Sequence, residues 1–174
     1  YVALKRDTGD VLWTHDALGT GTKVTGDRAW TGAFAAGPVV VLPGPKTVGV
    51  DPRTGAVVWQ AAGGTHAVRW PRPAGDRVLV LTAGYGGKTP KPGQVRCVDA
   101  ATGNELWAAP CDLDFGSVPA ATVAGDVLVG WTPTGEKAGD KPLARLIAFK
   151  LADGGMDKAW EGEPFVLDED PFHA

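Results

Sequence analysis

The sequence predicts an all-β protein built from repeated four-stranded antiparallel units. A turn glycine recurs at spacings of 46, 48 and 51 residues, at Gly9, Gly55, Gly103 and Gly154. Short runs rich in valine and leucine alternate with turn residues along the whole chain, as short strands do. No stretch carries the 3.6-residue apolar period of an amphipathic helix. Units of this length with four strands are typical of β-propeller blades.

Each repeat glycine is followed by a tryptophan, four residues later in the first three units and six residues later in the last. The two middle units share the motif Asp-x-x-Thr-Gly-x-x-x-Trp, whereas Lys5 and Lys150 stand at the aspartate position of the outer units. The motif residues are Thr8, Gly9, Trp13, Asp51, Thr54, Gly55, Trp59, Asp99, Thr102, Gly103, Trp107, Gly154 and Trp160.

The chemistry of the motif predicts a tight hairpin between the third and fourth strands of each unit. An aspartate such as Asp51 can accept hydrogen bonds from backbone N–H groups two residues further on, and a threonine does so more weakly. The glycine supplies the positive φ that closes the turn. A second repeated turn, Ala-Gly, precedes a valine and leucine run at Gly37, Gly75 and Gly125 and separates the first strand from the second.

The Asp-x-x-Thr-Gly-x-x-x-Trp unit resembles the tryptophan-docking repeat of the quinoprotein-like (PQQ-type) β-propellers. That superfamily includes the PQQ-dependent alcohol dehydrogenases and the BamB-type outer-membrane assembly lipoproteins. The family pattern places a small residue two positions before the aspartate, and this chain has Ala3, Gly49, Cys97 and Ala148 there. The resemblance extends over nearly the whole chain.

The resemblance implies that the tryptophan of one unit lies on the turn glycine of the next. Carried over residue by residue, Trp13 is expected to cover Gly55 and Trp59 to cover Gly103. Trp107 is expected to cover Gly154. Trp160 then has no following turn to cover, and the two extra residues before it make its position the hardest to assign.

These repeats indicate that residues 1–174 form a single propeller segment with an incomplete blade at each end. The partial first blade is 1–13, the full blades are about 28–59, 67–107 and 117–160, and 161–174 begins a further blade. Quinoprotein-like propellers commonly close with eight blades, so the chain is interpreted as an open fragment of about half a ring whose remaining blades are missing. The alternative is a closed four-bladed ring, which needs the acidic run 168–170 as an inner strand, a poor β sequence.

Composition excludes several classes of function. The chain has 174 residues with 17 basic and 20 acidic side chains, a net charge of −3 and a pI near 5.6. That balance argues against a nucleic-acid protein with a basic face. No apolar run approaches the roughly 18 residues of a membrane helix. Two cysteines do not make a disulfide-stapled fold, and Cys97 and Cys111 are interpreted as buried free thiols, with a bridge between them as the alternative.

No pattern of catalytic, cofactor-binding or metal-ligating residues stands out, so we predict none of the three. His15, His66 and His173 lie at no ligand spacing from one another or from a cysteine. The PQQ-dependent dehydrogenases that the repeat resembles typically carry an adjacent Cys-Cys pair near the cofactor, and this sequence has no such dipeptide.

The candidate binding surface is one face of the repeat array. Strand direction places the connections between second and third strands on this face, and they lengthen to 83–93 and 133–142 in the last two units. Long loops on a rigid scaffold commonly carry binding sites, although loop insertions can also be neutral. The candidate residues on this face are His15, His66, Tyr85, Lys88, Lys91, Asp112, Asp114 and Lys137.

The preferred functional interpretation is a non-catalytic β-propeller scaffold that binds protein partners, similar to the BamB-type proteins. The resemblance implies a bacterial periplasmic or other extracytoplasmic location. Two alternatives remain at the level of sequence. One is a fragment of a PQQ-dependent dehydrogenase, and the other is the sensor propeller of a signalling protein.

Overall fold

The computed structural model describes residues 1–16, 32–43, 47–61, 68–84, 91–111, 113 and 121–166. Within these ranges every regular element is a β-strand, and every strand pairing is antiparallel. The predicted all-β class is therefore confirmed.

The strands form four separate sheets in chain order, and neighbours in sequence are neighbours in each sheet. Sheet 1 contains β1 (Val2–Leu4) and β2 (Val11–Thr14). Sheet 2 contains β3 (Phe34–Ala36), β4 (Val39–Leu42), β5 (Val48–Val50) and β6 (Val57–Gln60). Sheet 3 contains β7 (Val68–Ala74), β8 (Arg77–Gly84), β9 (Lys91–Asp99) and β10 (Glu105–Cys111). Sheet 4 contains β11 (Ala121–Ala124), β12 (Val127–Ala138), β13 (Lys141–Ala152) and β14 (Gly155–Glu161), with β15 (Phe165–Val166) also paired to β13.

The repeat tryptophan occupies the same register position in all four sheets. Each stands opposite the small residue of the third strand, in the pairs Ala3–Trp13, Gly49–Trp59, Cys97–Trp107 and Ala148–Trp160. A β-bulge lies beside every one of these pairs. Because a bulge bends its strand and strengthens the local twist, the repeat tryptophan stands beside a local bend in every sheet.

The buried apolar residues form three clusters, and each cluster lies between two successive sheets. Trp13 packs with Leu42, Val48 and Val50 between sheets 1 and 2. A second cluster around Trp59 joins sheets 2 and 3, and a third around Trp107 joins sheets 3 and 4. Stacking each sheet on the next buries the strand faces that a single four-stranded sheet would leave in water.

The two segments expected to be long loops are strand at least in part. In the segment 83–93, residues 83 and 84 end β8 and residues 91–93 begin β9, with Gly84 paired to Lys91. The segment 133–142, expected to be a loop, continues β12 and β13 as a paired hairpin closed by Gly139, whose φ is +64°. In the segment 161–174, predicted to begin a further blade, Glu161 ends β14, and β15 pairs with Leu143 and Ala144 on β13 of sheet 4. Residues 167–174 lie outside the described ranges.

Candidate functional site

The turn between the third and fourth strands is held by the aspartate of the motif. In sheet 2 a carboxylate oxygen of Asp51 accepts hydrogen bonds from the backbone N–H groups of Arg53 and Thr54, at 2.8 and 2.9 Å, and from the Thr54 hydroxyl at 3.1 Å. Asp99 accepts the corresponding three bonds in sheet 3. These bonds favour the ionised carboxylates, chiefly the Thr54 backbone bond for Asp51 and the Thr102 hydroxyl bond for Asp99, and they lower both pKa values.

The first turn shows that the aspartate is an addition to a backbone pattern that forms without it. Lys5 replaces the aspartate, yet Gly9 N–H still donates to the Lys5 carbonyl at 2.9 Å, as Gly55 N–H does to the carbonyl of Asp51. The three turn glycines Gly9, Gly55 and Gly103 have φ values of +75°, +72° and +71°. Glycine alone adopts this backbone region at little cost, which explains why the residue recurs.

Trp13 and Trp59 dock on the turn of the following sheet as predicted. A Cβ atom on Gly55 would lie 2.7 Å from the ring of Trp13, and one on Gly103 would lie 2.5 Å from Trp59. Each indole N–H also donates to a turn carbonyl, Trp13 to Pro52 at 3.0 Å and Trp59 to Ala100 at 2.7 Å. The indole therefore both covers the turn and satisfies one of its carbonyl groups.

The predicted docking of Trp107 on Gly154 is wrong. A Cβ atom on Gly154 would find nothing within 4 Å, and the φ of Gly154 is not positive. The Trp107 indole instead donates to the Ala152 carbonyl at 3.1 Å. The reason is a different turn, because Ala152 pairs directly with Gly155 and leaves only two residues between the strands.

A groove that sequence reasoning missed lies between sheets 3 and 4, next to that turn. Its volume is about 470 Å³, and it lies beside Trp107, among the Ala-Gly-Asp turns at 74–76 and 124–126 and the turn at Asp153. Between sheets 2 and 3 the corresponding turns approach each other more closely, because a Cβ atom on Gly37 would lie 3.6 Å from the Cβ of Ala100. The sequence signals for the groove were the two extra residues before Trp160 and the repeated Asp of the Ala-Gly-Asp turns.

The predicted binding-face residues fall into two groups. Five of them lie outside the described ranges, namely His66, Tyr85, Lys88, Asp112 and Asp114. Lys91 begins β9, and the main chain of His15 pairs with that of Tyr1 at the end of β2. Lys137 is exposed near the tip of the hairpin formed by residues 133–142, here called the hairpin arm.

The hairpin arm is an ordered, charged projection. Thr134 donates its hydroxyl to the Leu143 carbonyl at 3.1 Å, and its hydroxyl oxygen accepts the Glu136 N–H at 3.1 Å, so the bulged side of the arm is tied down. Glu136, Lys137 and Asp140 are exposed on it. A paired hairpin presents such side chains with less loss of conformational freedom on binding than an unstructured loop would.

Neither cysteine forms a disulfide. Cys97 and Cys111 are both buried, and they stand opposite Trp107 and Gly93 respectively in the β9–β10 ladder. Burial raises the pKa of the Cys97 thiol to about 11, which makes it a packed side chain and a poor nucleophile. Positions this far apart in the ladder do not fit the adjacent Cys-Cys pair of PQQ-dependent dehydrogenases.

Among the residues with described positions, no three His, Cys, Asp or Glu side chains come together in a way that could hold a metal ion. Nor does the described part of the chain contain a helix with the length and apolar character needed to cross a bilayer.

Comparison with known proteins gives a family match and several likenesses of fold. The sequence model of a family described as outer membrane protein assembly factor BamB matches residues 1–156. No curated protein matches the sequence significantly. Similar solved structures include a quinohemoprotein alcohol dehydrogenase from Pseudomonas putida HK5, at 19% identity and a TM-score of 0.52. A europium-containing methanol dehydrogenase and BamB from Moraxella catarrhalis each have 20% identity and a TM-score of 0.49.

The alignments differ in how much of each protein they span. They cover 75%, 74% and 93% of this chain, in the same order, but 20%, 23% and 57% of the three solved chains. The chain thus spans about a fifth of the length of the two dehydrogenases and somewhat more than half of the solved BamB. The dehydrogenase likeness, at this identity, is a likeness of β-propeller fold.

Proposed function

Because the chain belongs to the PQQ-type repeat family described as outer membrane protein assembly factor BamB, we propose that it is a non-catalytic β-propeller scaffold that binds a protein partner. The family match over residues 1–156 is the observation that carries the proposal. The proposal takes sheets 2, 3 and 4 as successive blades and sheet 1 as a partial blade.

The proposed contact surface is the face that carries the hairpin arm. The arm projects from two strands of twelve residues each, β12 and β13, so its position is set by the sheet behind it. Its exposed charges, Glu136, Lys137 and Asp140, are of both signs. Mixed charges of this kind favour specificity and register in a protein–protein contact more than raw affinity.

The proposed location is extracytoplasmic, and the proposed partner belongs to the apparatus that assembles outer-membrane proteins. Both proposals are supported by the family description, which names an assembly factor of that membrane. The nearly balanced net charge of −3 suits a protein partner better than a polyanion.

Site-specific photo-crosslinking in cells tests the proposed surface. A photoreactive residue replaces Lys137 in one variant and Arg53 in a matched control, because Arg53 is also exposed but lies on a turn between third and fourth strands. We expect a discrete crosslinked product with an outer-membrane assembly component from position 137 and none from position 53. Equal products from both positions, or none from 137, would contradict the proposed surface.

A separate titration tests the non-catalytic part of the proposal. The chain is titrated with PQQ and calcium while tryptophan fluorescence is followed. We expect no saturable change. Binding tighter than about 10 μM, roughly −7 kcal/mol, would overturn the non-enzymatic interpretation.

A further inference from the structure

The groove between sheets 3 and 4 has an apolar floor. Leu79, Cys97 and Trp107 line it and are at least nine-tenths buried, with exposed fractions of 1%, 0% and 7%. Leu151 closes it from sheet 4 and is half-buried. The volume of about 470 Å³ lies within the range of about 300–1,000 Å³ that is usual for small-molecule sites.

The exposed rim of the groove is acidic. Asp76, Asp126 and Asp153 contribute three carboxylates, and Arg77 contributes the one guanidinium of the lining. Asp153, Asp76 at 3.7 Å and the Ala152 carbonyl at 3.3 Å already bind that guanidinium. Within the part of the chain that the structure describes, the Asp126 carboxylate has no ion-pair or hydrogen-bond partner. The rim therefore has a net formal charge of −2, and one of its carboxylates, that of Asp126, has no partner among the described residues.

These features select among classes of ligand. An anion would meet the three carboxylates, while the only guanidinium of the lining is already bound. A metal ion needs converging ligands, and the described His, Cys, Asp and Glu side chains form no such group. An organic cation fits both parts, because its apolar body can cover the floor while its charge lies near the rim. The indole of Trp107 adds an aromatic face that can attract a cation.

We propose that this groove binds a small organic ammonium ion with an apolar body, such as an alkylammonium of about six carbons. The ammonium lies near Asp126 and Asp76, and the alkyl chain lies against Leu151 and Trp107. The corresponding turns lie closer together between sheets 2 and 3, where a Cβ atom on Gly37 would lie 3.6 Å from the Cβ of Ala100, while a Cβ on Gly75 would find nothing within 4 Å. The proposal is independent of a protein partner at the hairpin arm.

Binding of three probes with the same body but different charge tests the proposal. Hexylammonium, hexanol and hexanoate are titrated at neutral pH into the chain, and the Trp107 indole N–H resonance, assigned with Trp107→Phe, is followed by NMR. We expect hexylammonium to bind about fivefold more tightly than hexanol, with an advantage that shrinks as salt is added. Hexanoate should bind more weakly than hexanol. Equal affinity for all three, or no shift of the Trp107 resonance, would overturn the proposal.

Two variants test where the ammonium and the alkyl chain of the ligand bind, and a third serves as a control. Asp126→Asn should weaken hexylammonium binding about threefold to fivefold and leave hexanol unchanged, in line with one partly screened charge interaction. Glu163→Gln removes one exposed carboxylate outside the groove and should change neither. Ala74→Leu fills the groove and should abolish binding of both probes. If Glu163→Gln weakens hexylammonium as much as Asp126→Asn does, the attraction is general and the assigned site is wrong.

Discussion

The indole of Trp59 lies so close over Gly103 that a Cβ atom on this glycine would come within 2.5 Å of the Trp59 Cβ and Cγ atoms. Trp59 stands on β6 of sheet 2, and Gly103 closes the turn before β10 of sheet 3. The pair joins two sheets by packing, and the Trp59–Ala100 hydrogen bond of 2.7 Å fixes the direction of the ring. Gly103 therefore meets two requirements, a positive φ and the absence of a side chain.

Substitution of the turn glycines separates those two requirements. Gly9→Ala should cost only the backbone strain of the left-handed region, about 1–2 kcal/mol, because no atom lies within 4 Å of its Cβ position. Gly103→Ala should cost that strain plus about 1–3 kcal/mol for displacing Trp59. Urea unfolding midpoints measure the difference. Equal losses from the two variants would show that the indole does not constrain Gly103.

Stability should fall in acid partly through the two turn aspartates. The pKa values of Asp51 and Asp99 are lowered in the folded chain, so the ionised forms favour folding. Their contribution is fully present above the unfolded-state pKa of about 3.9 and is lost as pH falls through the lower folded-state values. The free energy of unfolding of the double variant Asp51→Ala/Asp99→Ala should be lower than that of wild type at pH 7, and the difference should be smaller at about pH 2.5.

The control for that experiment is Asp157→Ala, which removes an exposed carboxylate on β14 away from both turns. It should follow the wild-type pH profile. If the double variant and wild type differ equally at both pH values, the turn bonds do not depend on ionised aspartates.

The two thiols should be unreactive until the chain unfolds. Cys97 and Cys111 are buried, with exposed fractions of 0% and 2%, and burial raises the pKa of Cys97 to about 11. At pH 8 a disulfide-exchange reagent should modify neither cysteine of the native chain faster than the chain unfolds. In denaturant the same reagent should modify both cysteines rapidly. Rapid modification of Cys97 in the native chain would contradict its place in the core between sheets 3 and 4.

The 174-residue chain should self-associate through its uncovered sheet faces. Val2 and Leu4 are 60% and 56% exposed, although they occupy the repeat positions of Val48 and Val50, which are buried under Trp13. Exposed apolar faces of this kind are typical of contact surfaces. Light scattering at tens of micromolar should therefore detect dimers or larger species.

Negative charge introduced on the exposed face of Val2 and Leu4 should reverse the self-association. Val2→Asp/Leu4→Asp should shift the chain toward monomer, whereas Val57→Asp, at an outer-strand position of similar exposure (51%), should not. A monodisperse wild-type monomer at the same concentration would count against the uncovered faces as contact surfaces.

The parts of the fold that could be predicted from sequence are those set by local chemistry. The spacing from Gly55 to Trp59 and the small residue Gly49 give the register of β5 and β6, because a two-residue periodicity and a turn glycine leave few alternatives. Docking of Trp13 and Trp59 followed from three units that share that spacing.

The wrong predictions concern two segments whose sequence is typical of a turn or loop seen elsewhere but whose backbone differs. Two extra residues before Trp160 replace the motif turn by a two-residue hairpin at Asp153 and Gly154, and the glycine no longer lies under Trp107. The arm around Lys137 has glycine and proline typical of loops, but strand pairing continues through it. In both cases strand pairing overrides local turn signals, and the groove beside Trp107 lies next to the first of these two turns.

The central claim is that tryptophan docking holds the sheets together, and two truncations test it most directly. Trp59 is 6% exposed and docked, whereas Trp160 is 53% exposed. Trp59→Ala should cost about 3–5 kcal/mol of unfolding free energy, and Trp160→Ala under about 1.5 kcal/mol. Urea unfolding followed by circular dichroism measures both. Similar losses from the two variants, or a loss below about 1.5 kcal/mol for Trp59→Ala, would contradict the claim.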